Sequence, residues 1–293
     1  MLPVIYGIKE IAKTGPAPHA IGAILAGGIF AAIFLRRQRR LADPLLDLQL
    51  FASRAFSVAL IVLLGGLTAV GGAMLLVAQY LQLVLGHSPS VAGLWMGLAA
   101  LAMITGGVAA PMVARWVRPG FVVTAALLLS VIGYLLFAVI GDDPSQGLVL
   151  AVFGLALVYL GNGTIAALGT DLVVGSAPPE KAGSASAMTE TVQDLGISVG
   201  IAVLGSISTA VYRRAMEAQV TETLAPEIAA VAEDSLWAML SVDTELPDGL
   251  IETAQAAFTA GFSVAALVSA VGVTILAILA AIALRRIARF AGE

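Results

Sequence analysis

Seven long apolar stretches, separated by short polar segments, dominate the pattern of hydrophobic and polar residues along the chain. A helix needs about 20 predominantly apolar residues to cross the hydrocarbon core of a bilayer. The pattern therefore predicts an all-α integral membrane protein with seven complete transmembrane helices. Their predicted bounds are 19–35, 56–85, 91–116, 121–140, 148–172, 182–211 and 256–284.

Three further segments do not form a complete span. Residues 1–8 are apolar but too short to cross a bilayer, so we interpret them as the end of a partial transmembrane helix. Residues 41–51 alternate apolar and acidic positions, which is typical of a short helix at the membrane interface. Residues 212–255 are polar, acidic and too long for an ordinary connection, and residues 225–240 within them have helical spacing.

The composition supports a membrane protein and argues against several classes of function. Of the 293 residues, 59% are hydrophobic and 12% are charged, whereas a soluble domain carries about 25% charged residues. The chain has no cysteine, and its two histidines, His19 and His87, are too isolated to form a metal-binding motif. No phosphate-binding loop or nucleophile with its base is present, so we expect neither an enzyme nor a metal site or cofactor.

Basic residues are distributed unevenly between the two sides of the predicted spans. Cytoplasmic loops of membrane proteins carry an excess of lysine and arginine. This positive-inside rule predicts that the C-terminus lies in the cytoplasm and that residues 212–255 lie outside the cell. The arginine run after the first span is an orientation signal and not a nucleic-acid site. The basic side holds Arg36, Arg37, Arg39, Arg40, Arg54, Arg115, Arg118, Lys181, Arg285, Arg286 and Arg289, against Lys9, Lys13, Arg213 and Arg214 on the other side.

Two carboxylates lie inside the sixth predicted span. Glu190 and Asp194 are four residues apart, so they share one face of a helix, one turn from each other. A carboxylate inside a membrane is costly and by default marks a water-filled cavity or a proton relay. We therefore expect this pair to face a cavity and to exchange a proton for a cation. The alternative is that both acids lie near a helix start at the water interface, where they complement the helix dipole.

Other residues of the spans are candidates for packing or for lining a cavity. Gly196 and Gly200 form a GxxxG pair on the side of the helix away from Asp194, where close contact with a neighbouring helix is expected. The possible cavity-lining residues are polar or aromatic, and for each of them packing or hydrogen bonding between helices is the alternative. These residues are Gln79, Tyr80, Tyr159 and Asn162.

Several motifs resemble a known family of membrane proteins. Residues 182–206 read AGSASAMTETVQDLGISVGIAVLGS, and the segment before them reads LGTDLVVGSAPPEK. Together they look like the penultimate helix, and the approach to it, of the fourteen-span drug:proton antiporters of the major facilitator superfamily, the EmrB/QacA group. The segments IYGIKE and RRLADPLLDLQLFASRAFS are similar to the region between that family's two extra central helices and its C-terminal bundle.

The turn between the third and fourth predicted spans resembles a degraded copy of the superfamily's cytoplasmic loop motif. Arg115 and Arg118 match its basic positions, whereas Ala110 and Pro111 stand in the region where the motif has its acid. Some cation-exporting members also carry an acid midway along the matching helix, where this chain has Met103. The resemblance to those members is therefore incomplete.

The resemblance implies a division of the chain into two parts. Residues 1–54 would hold the end of one central span, the extra span at 19–35 and a cytoplasmic interfacial linker. Residues 55–293 would form the C-terminal six-helix bundle of a major facilitator fold, with an extracellular segment at 212–255.

The resemblance also implies a function: proton-coupled export of lipophilic, cationic compounds across the cell membrane, with Glu190 and Asp194 as the coupling acids. In the superfamily the substrate site lies between two halves, and this chain resembles the C-terminal half only. The implied partners are the lipid bilayer, a small lipophilic substrate, protons and the missing N-terminal half. Two alternatives stay open: a truncated or non-transporting half that needs a separate N-terminal half, and a transporter for an endogenous lipid or metabolite.

Overall fold

A computed structural model of the chain describes residues 18–38, 48–141, 143–219, 226–241 and 249–284, together with Pro3, Tyr6, Gly7, Glu10 and Pro247. Within these residues every regular element is helical, and seven helices are long and apolar enough to cross a membrane. The prediction of an all-α membrane protein with seven spans is confirmed. The predicted partial span at residues 1–8 and most of the interfacial helix predicted at 41–51 lie outside the described residues.

Nine α-helices are described, and some of them are flanked by other helical turns. A π-helical turn, Tyr80–Val84, continues the second helix, and 3₁₀ turns precede the second and the sixth at Leu48–Ala52 and Pro179–Lys181. The α-helices are α1 Pro18–Gln38, α2 Arg54–Gln79, α3 Pro89–Ala114, α4 Pro119–Ala138, α5 Pro144–Gly175, α6 Ala182–Gln219, α7 Pro226–Asp234, α8 Leu236–Leu240 and α9 Leu250–Ala283.

Proline fixes the start of three spanning helices earlier than the sequence pattern predicted. Pro89, Pro119 and Pro144 each occupy the first turn of a helix, where the missing N–H is not needed. Ser88 caps α3, because its Oγ accepts a hydrogen bond from the Val91 N–H at 3.4 Å. The predicted starts at 91, 121 and 148 are late by up to one turn because small or polar residues separate each proline from the apolar stretch that follows it.

The sixth helix extends beyond the predicted limit at residue 211 to Gln219. Arg213 and Arg214 are polar but are good helix formers, and Tyr212 and Met216 are buried on the same helix. We call residues 226–241, which lie between α6 and α9, the insert. The single helix expected over residues 225–240 is two helices, α7 and α8, separated by an extended residue.

Six helices, α2 to α6 and α9, pack into one bundle. α2 contacts α6, α5 and α9; α5 also contacts α3 and α4; α9 also contacts α4 and α6. Glycines allow close approach at these contacts: a Cβ on Gly133 of α4 would lie 2.5 Å from the Gly154 carbonyl oxygen of α5. By contrast, α1 is exposed along most of its length, including Leu25 and Phe30.

The bundle has two ends of different chemistry. Arg54, Arg118 and Lys181 lie at one end, which we call the basic end, and the insert lies at the other, the insert end. At the insert end an aromatic chain joins three helices, with ring-centroid distances of 5.8 Å between Tyr80 and Phe262, and 5.3 Å between Phe262 and Phe137. This packing joins α4 and α9 to the π-helical turn that follows α2.

Candidate functional site

The two acids of α6 lie on an exposed face of the helix. Glu190 and Asp194 are both exposed, and so are Ala187, Thr191 and Ser198, which share their side of α6. We call these five residues the acid face. The other side chains of this face are small, so they leave the two carboxylates open to contact with another helix.

The opposite side of α6 is packed tightly against α2. A Cβ on Gly196 would lie 2.9 Å from the Leu64 carbonyl oxygen, and a Cβ on Gly200 would lie 3.0 Å from the Thr68 Cα. The contact is reciprocal, because a Cβ on Gly71 of α2 would lie 2.8 Å from the Ile197 Cα of α6. We call Gly196 and Gly200 the glycine face. Contacts at this distance leave no room for a side chain, so α2 and α6 meet backbone to backbone.

This packing determines where the carboxylates point. With the glycine face fixed against α2, the acid face is turned outward, onto the surface of the bundle that this chain forms. The acids are therefore not inside the six-helix bundle. A cavity around Glu190 and Asp194 requires a further element packed over this face, so their position in a cavity stays a prediction.

Two of the possible cavity-lining residues are buried inside the bundle, as the packing alternative expects. Tyr159 and Asn162 of α5 are 7% and 5% exposed. The Asn162 Nδ2 is 4.0 Å from the Met103 sulfur of α3, and its Oδ1 is buried without a hydrogen-bond partner among the described residues. A void of about 10 Å³ adjoins Asn162, Ser130 and Tyr134. These residues occupy the core and are separate from the acid face.

The other two lie at the insert end, where α2 turns into its π-helical segment. Tyr80 is buried and Gln79 is half-buried. The Gln255 Nε2 of α9 donates to the carbonyl oxygens of Leu83 and Val84 at 3.1 and 3.4 Å, which fixes this turn to α9. Gln79 and Tyr80 border two different cavities, of about 330 and 510 Å³ respectively.

The cavity that Gln79 borders was not predicted as a site. It lies between α2, α6, α9 and the insert, and we call it the insert pocket. Its wall includes Trp237 of α8, which lies in the segment that the sequence predicted to be helical, residues 225–240. The pocket forms where the insert packs against α6. The pattern of residues along the chain does not predict this contact between distant segments.

Residues 16–201 match the profile described as Major Facilitator Superfamily. The chain belongs to the major facilitator superfamily. One similar protein is the multidrug efflux pump LfrA of Mycolicibacterium smegmatis, which is 32% identical over 290 residues, or 98% of this chain and 57% of LfrA. Another is the probable actinorhodin transporter of Streptomyces coelicolor, which is 35% identical over 63% of this chain and 32% of its own length.

A third relative is the multidrug resistance protein Stp of Mycobacterium tuberculosis, with 29% identity over 70% of this chain and 38% of Stp. The chain thus spans about half of the length of LfrA and aligns with smaller parts of the other two. Membership of the superfamily agrees with the all-helical bundle and with a multi-pass membrane protein.

The superfamily loop motif predicted at Arg115 and Arg118 falls in the turn between α3 and α4. Arg115 is the C-cap of α3 and Arg118 precedes Pro119 at the start of α4, and both arginines are exposed. At the same basic end, the Lys181 Nζ is 3.1 Å from the Gln49 Oε1, which links the turn before α6 to the 3₁₀ turn before α2. Arg39, Arg40, Arg285, Arg286 and Arg289 lie outside the described residues.

Among the described residues, no group of three His, Asp or Glu side chains is arranged to hold a metal ion. The expectation that no metal or cofactor takes part in the function stays a prediction.

Proposed function

We propose that this chain is the C-terminal part of a fourteen-span, proton-coupled exporter of lipophilic organic cations. The names of the relatives LfrA and Stp support export of drugs. The observation that carries the proposal is the arrangement of α6: its glycine face is packed on α2, while Glu190 and Asp194 stay exposed on the other side. The bundle does not need the two acids for its own packing.

The chemistry of the pair suits exchange of a proton for a cation. A charged carboxylate costs about 2.5–3.5 kcal/mol at the centre of a membrane helix. Two neighbouring negative charges repel each other, so in this proposal the pair, once enclosed, binds either a proton or a cation. Binding of an organic cation then releases the proton, and the cation leaves when a new proton is taken up.

The partner that would close a cavity over the acid face is an N-terminal six-helix half. Helix α3 also exposes apolar side chains along its length, among them Leu94, Leu101 and Ile104, at 57–66% exposure. In this proposal residues 1–54 carry the extra span and the linker, and residues 55–293 form one of two halves that rock around a shared site.

The proposed orientation follows from the basic end. Loops rich in lysine and arginine stay in the cytoplasm, so the insert and residues 212–255 would face the outside of the cell, with the C-terminus inside. Because the chain has no cysteine, single cysteines report their side directly. In intact cells, a membrane-impermeant maleimide should label Glu217→Cys and leave Arg118→Cys unlabelled until the cells are opened.

The function is tested in a complete transporter that combines this chain with an N-terminal half. The double variant Glu190→Gln and Asp194→Asn should lower ethidium efflux at least about tenfold, because neither position can then bind a proton or a cation. Glu217→Gln is the matched control, since Glu217 is an exposed acid on α6 that lies far from the pair. Undiminished efflux by the double variant would refute the assignment of the acids.

Two alternatives give different results in the same system. If the chain is a half that needs a separate N-terminal half, co-expression should restore efflux that the chain alone lacks. If the cargo is an endogenous lipid or metabolite, the acid pair should be required for growth or lipid composition while ethidium efflux is absent.

A further inference from the structure

A small void lies inside the six-helix bundle, where α2, α4, α5 and α9 meet. Its wall includes Gly66 of α2, Leu127 and Ser130 of α4, Asn162 of α5 and Val273 of α9. The volume of the void is about 10 Å³, and a buried water molecule needs about 10–15 Å³ of such space. The void therefore has room for one water and for nothing larger.

Asn162 brings an unsatisfied polar atom to this void. The residue is 5% exposed, and its Nδ2 lies 4.0 Å from the Met103 sulfur of α3. Its Oδ1 is buried without a hydrogen-bond partner among the described residues. Asn162 lines the void whereas Met103 does not, so Oδ1 is the end of the amide that faces it. A buried polar atom without a partner costs free energy, so this position favours a molecule that donates to Oδ1.

Both orientations of the Asn162 amide leave an atom at the void that needs a partner. Turning the amide by 180° would place Nδ2 toward the void and Oδ1 beside the Met103 sulfur, which has no hydrogen to donate. The atom at the void would then be a donor in place of an acceptor. A water molecule can serve either atom, because it both donates and accepts hydrogen bonds.

The rest of the wall favours a neutral ligand. The Ser130 Oγ donates to the Ala126 carbonyl oxygen at 3.2 Å, so its lone pairs stay available to accept a hydrogen bond. Tyr134, which borders the same void, carries the third polar side chain of the wall. These groups can supply the two to four partners that a buried water requires. Within the described residues the wall carries no carboxylate, so a buried cation would be uncompensated.

We propose that this void is a binding site for one structural water molecule, which donates hydrogen bonds to the Asn162 Oδ1 and to the Ser130 Oγ. The water links α5 to α4 at the centre of the bundle, and Gly66 of α2 and Val273 of α9 help to enclose it. The site does not depend on the proposed function, because its wall belongs to this chain and shares no residue with the acid face.

The test is X-ray footprinting of the purified full chain in lipid nanodiscs, in water enriched in the heavy isotope of oxygen. Irradiation converts a bound water into hydroxyl radicals, which oxidise the side chains that surround it. Tyr134 and Phe262 are each 1% exposed, but only Tyr134 borders the void, since Phe262 is about 16 Å from Val273 along α9. We expect Tyr134 to incorporate heavy oxygen at least about fivefold faster than Phe262.

A pair of glycine variants tests whether the label comes from the void. A Cβ on Gly66 would lie 3.8 Å from the Ile165 side chain, an ordinary contact, so we expect Gly66→Ala to fold. The added methyl group takes up space in the wall of the void, and labelling of Tyr134 should fall at least about fivefold. Gly107→Ala of α3 is the matched control, because its Cβ would lie 3.7 Å from the Gly163 carbonyl oxygen, away from the void. Its labelling should stay within about twofold of wild type.

A second pair of variants tests the polar partner. Asn162→Leu keeps nearly the same volume and removes the unsatisfied oxygen, so labelling of Tyr134 should again fall at least about fivefold. Thr164→Val is the control: Thr164 is buried on the same helix, but its Oγ1 donates to the Leu160 carbonyl oxygen at 3.0 Å, and it does not line the void. If Asn162→Leu does not fold, Gly66→Ala still decides the question.

Equal labelling of Tyr134 and Phe262 in the wild type would overturn the proposal. Unchanged labelling of Tyr134 in folded Gly66→Ala or in folded Asn162→Leu would also overturn it. A change in labelling when choline replaces sodium in the buffer would assign the void to a cation in place of water. The export function is tested separately by the variants of Glu190 and Asp194, and neither result decides the other.

Discussion

The two sides of α6 differ in what they contact. The glycine face, Gly196 and Gly200, meets the backbone of α2 with no space for a side chain, whereas the acid face, which carries Glu190 and Asp194, contacts little within the bundle. Small residues determine the packing of a membrane helix, because close backbone approach drives the association. The acids contribute nothing to that packing, so the stability of the bundle does not explain their presence.

The largest effect should come from filling the glycine face. Gly200→Leu would force its side chain into the Thr68 backbone of α2, and overpacking of this kind costs about 1–3 kcal/mol or more. We expect loss of the monodisperse peak in size-exclusion chromatography and a lower Tm. Gly183→Leu is the control, since no atom lies within 4 Å of a Cβ built there. A folded Gly200→Leu protein of unchanged Tm would show that α2 and α6 are not in close contact.

A smaller effect is expected where α6 holds the insert. Tyr212→Phe removes the buried hydrogen bond to the Ala232 carbonyl oxygen, which should destabilise the docked insert by about 0.5–1.5 kcal/mol. Hydrogen exchange of α7 should become faster while α2 and α5 are unchanged. Ser241→Ala removes an exposed hydrogen bond to the Trp237 carbonyl oxygen at the end of α8 and is the control. Equal exchange in both variants would mean that the Tyr212 hydroxyl does not anchor the insert.

The smallest effect concerns the cap of α5, remote from both faces of α6. The Ser145 hydroxyl and the Ser145 and Gln146 amides donate to the Asp143 carboxylate, and these hydrogen bonds lower the pKa of this exposed side chain. Because this pKa is lowered in the folded state, the ionised Asp143 carboxylate stabilises the cap at pH values above the ordinary Asp pKa of 3.8. This contribution is lost as the pH falls through the lowered pKa.

The protection of the amides at residues 145–147, measured relative to their intrinsic exchange rates, should therefore fall only in acid. Asp143→Asn keeps a good capping residue and removes the titration, so this protection should lose its pH dependence while the rest of the chain is unaffected. Retained pH dependence in Asp143→Asn would assign the effect to another group.

Much of the fold was predictable because membrane spans depend on local composition. The length of each apolar stretch gave the seven helices, and the spacing of Glu190 and Asp194 gave their common side of α6. The predicted helix ends were less accurate near proline. Proline breaks a helix in its interior but is favoured in the first turn of a helix, as at Pro89 and Pro144.

The parts that sequence reasoning missed depend on contacts between distant segments. The insert pocket needs Trp237 to be placed beside Gly205, 32 positions earlier in the chain, and this follows only from the docking of α7 and α8 onto α6. Tyr159 and Asn162 are buried at the centre of the bundle, as the packing alternative expected, and a role in lining a cavity stays a prediction.

The central claim, that the acid face exchanges a proton for an organic cation, is tested most directly by counting protons. The complete transporter, purified in a weakly buffered solution with a pH indicator, is mixed with tetraphenylphosphonium. We predict release of protons upon binding, and no release from the Glu190→Gln and Asp194→Asn variant. The same proton release from wild type and double variant would contradict the account.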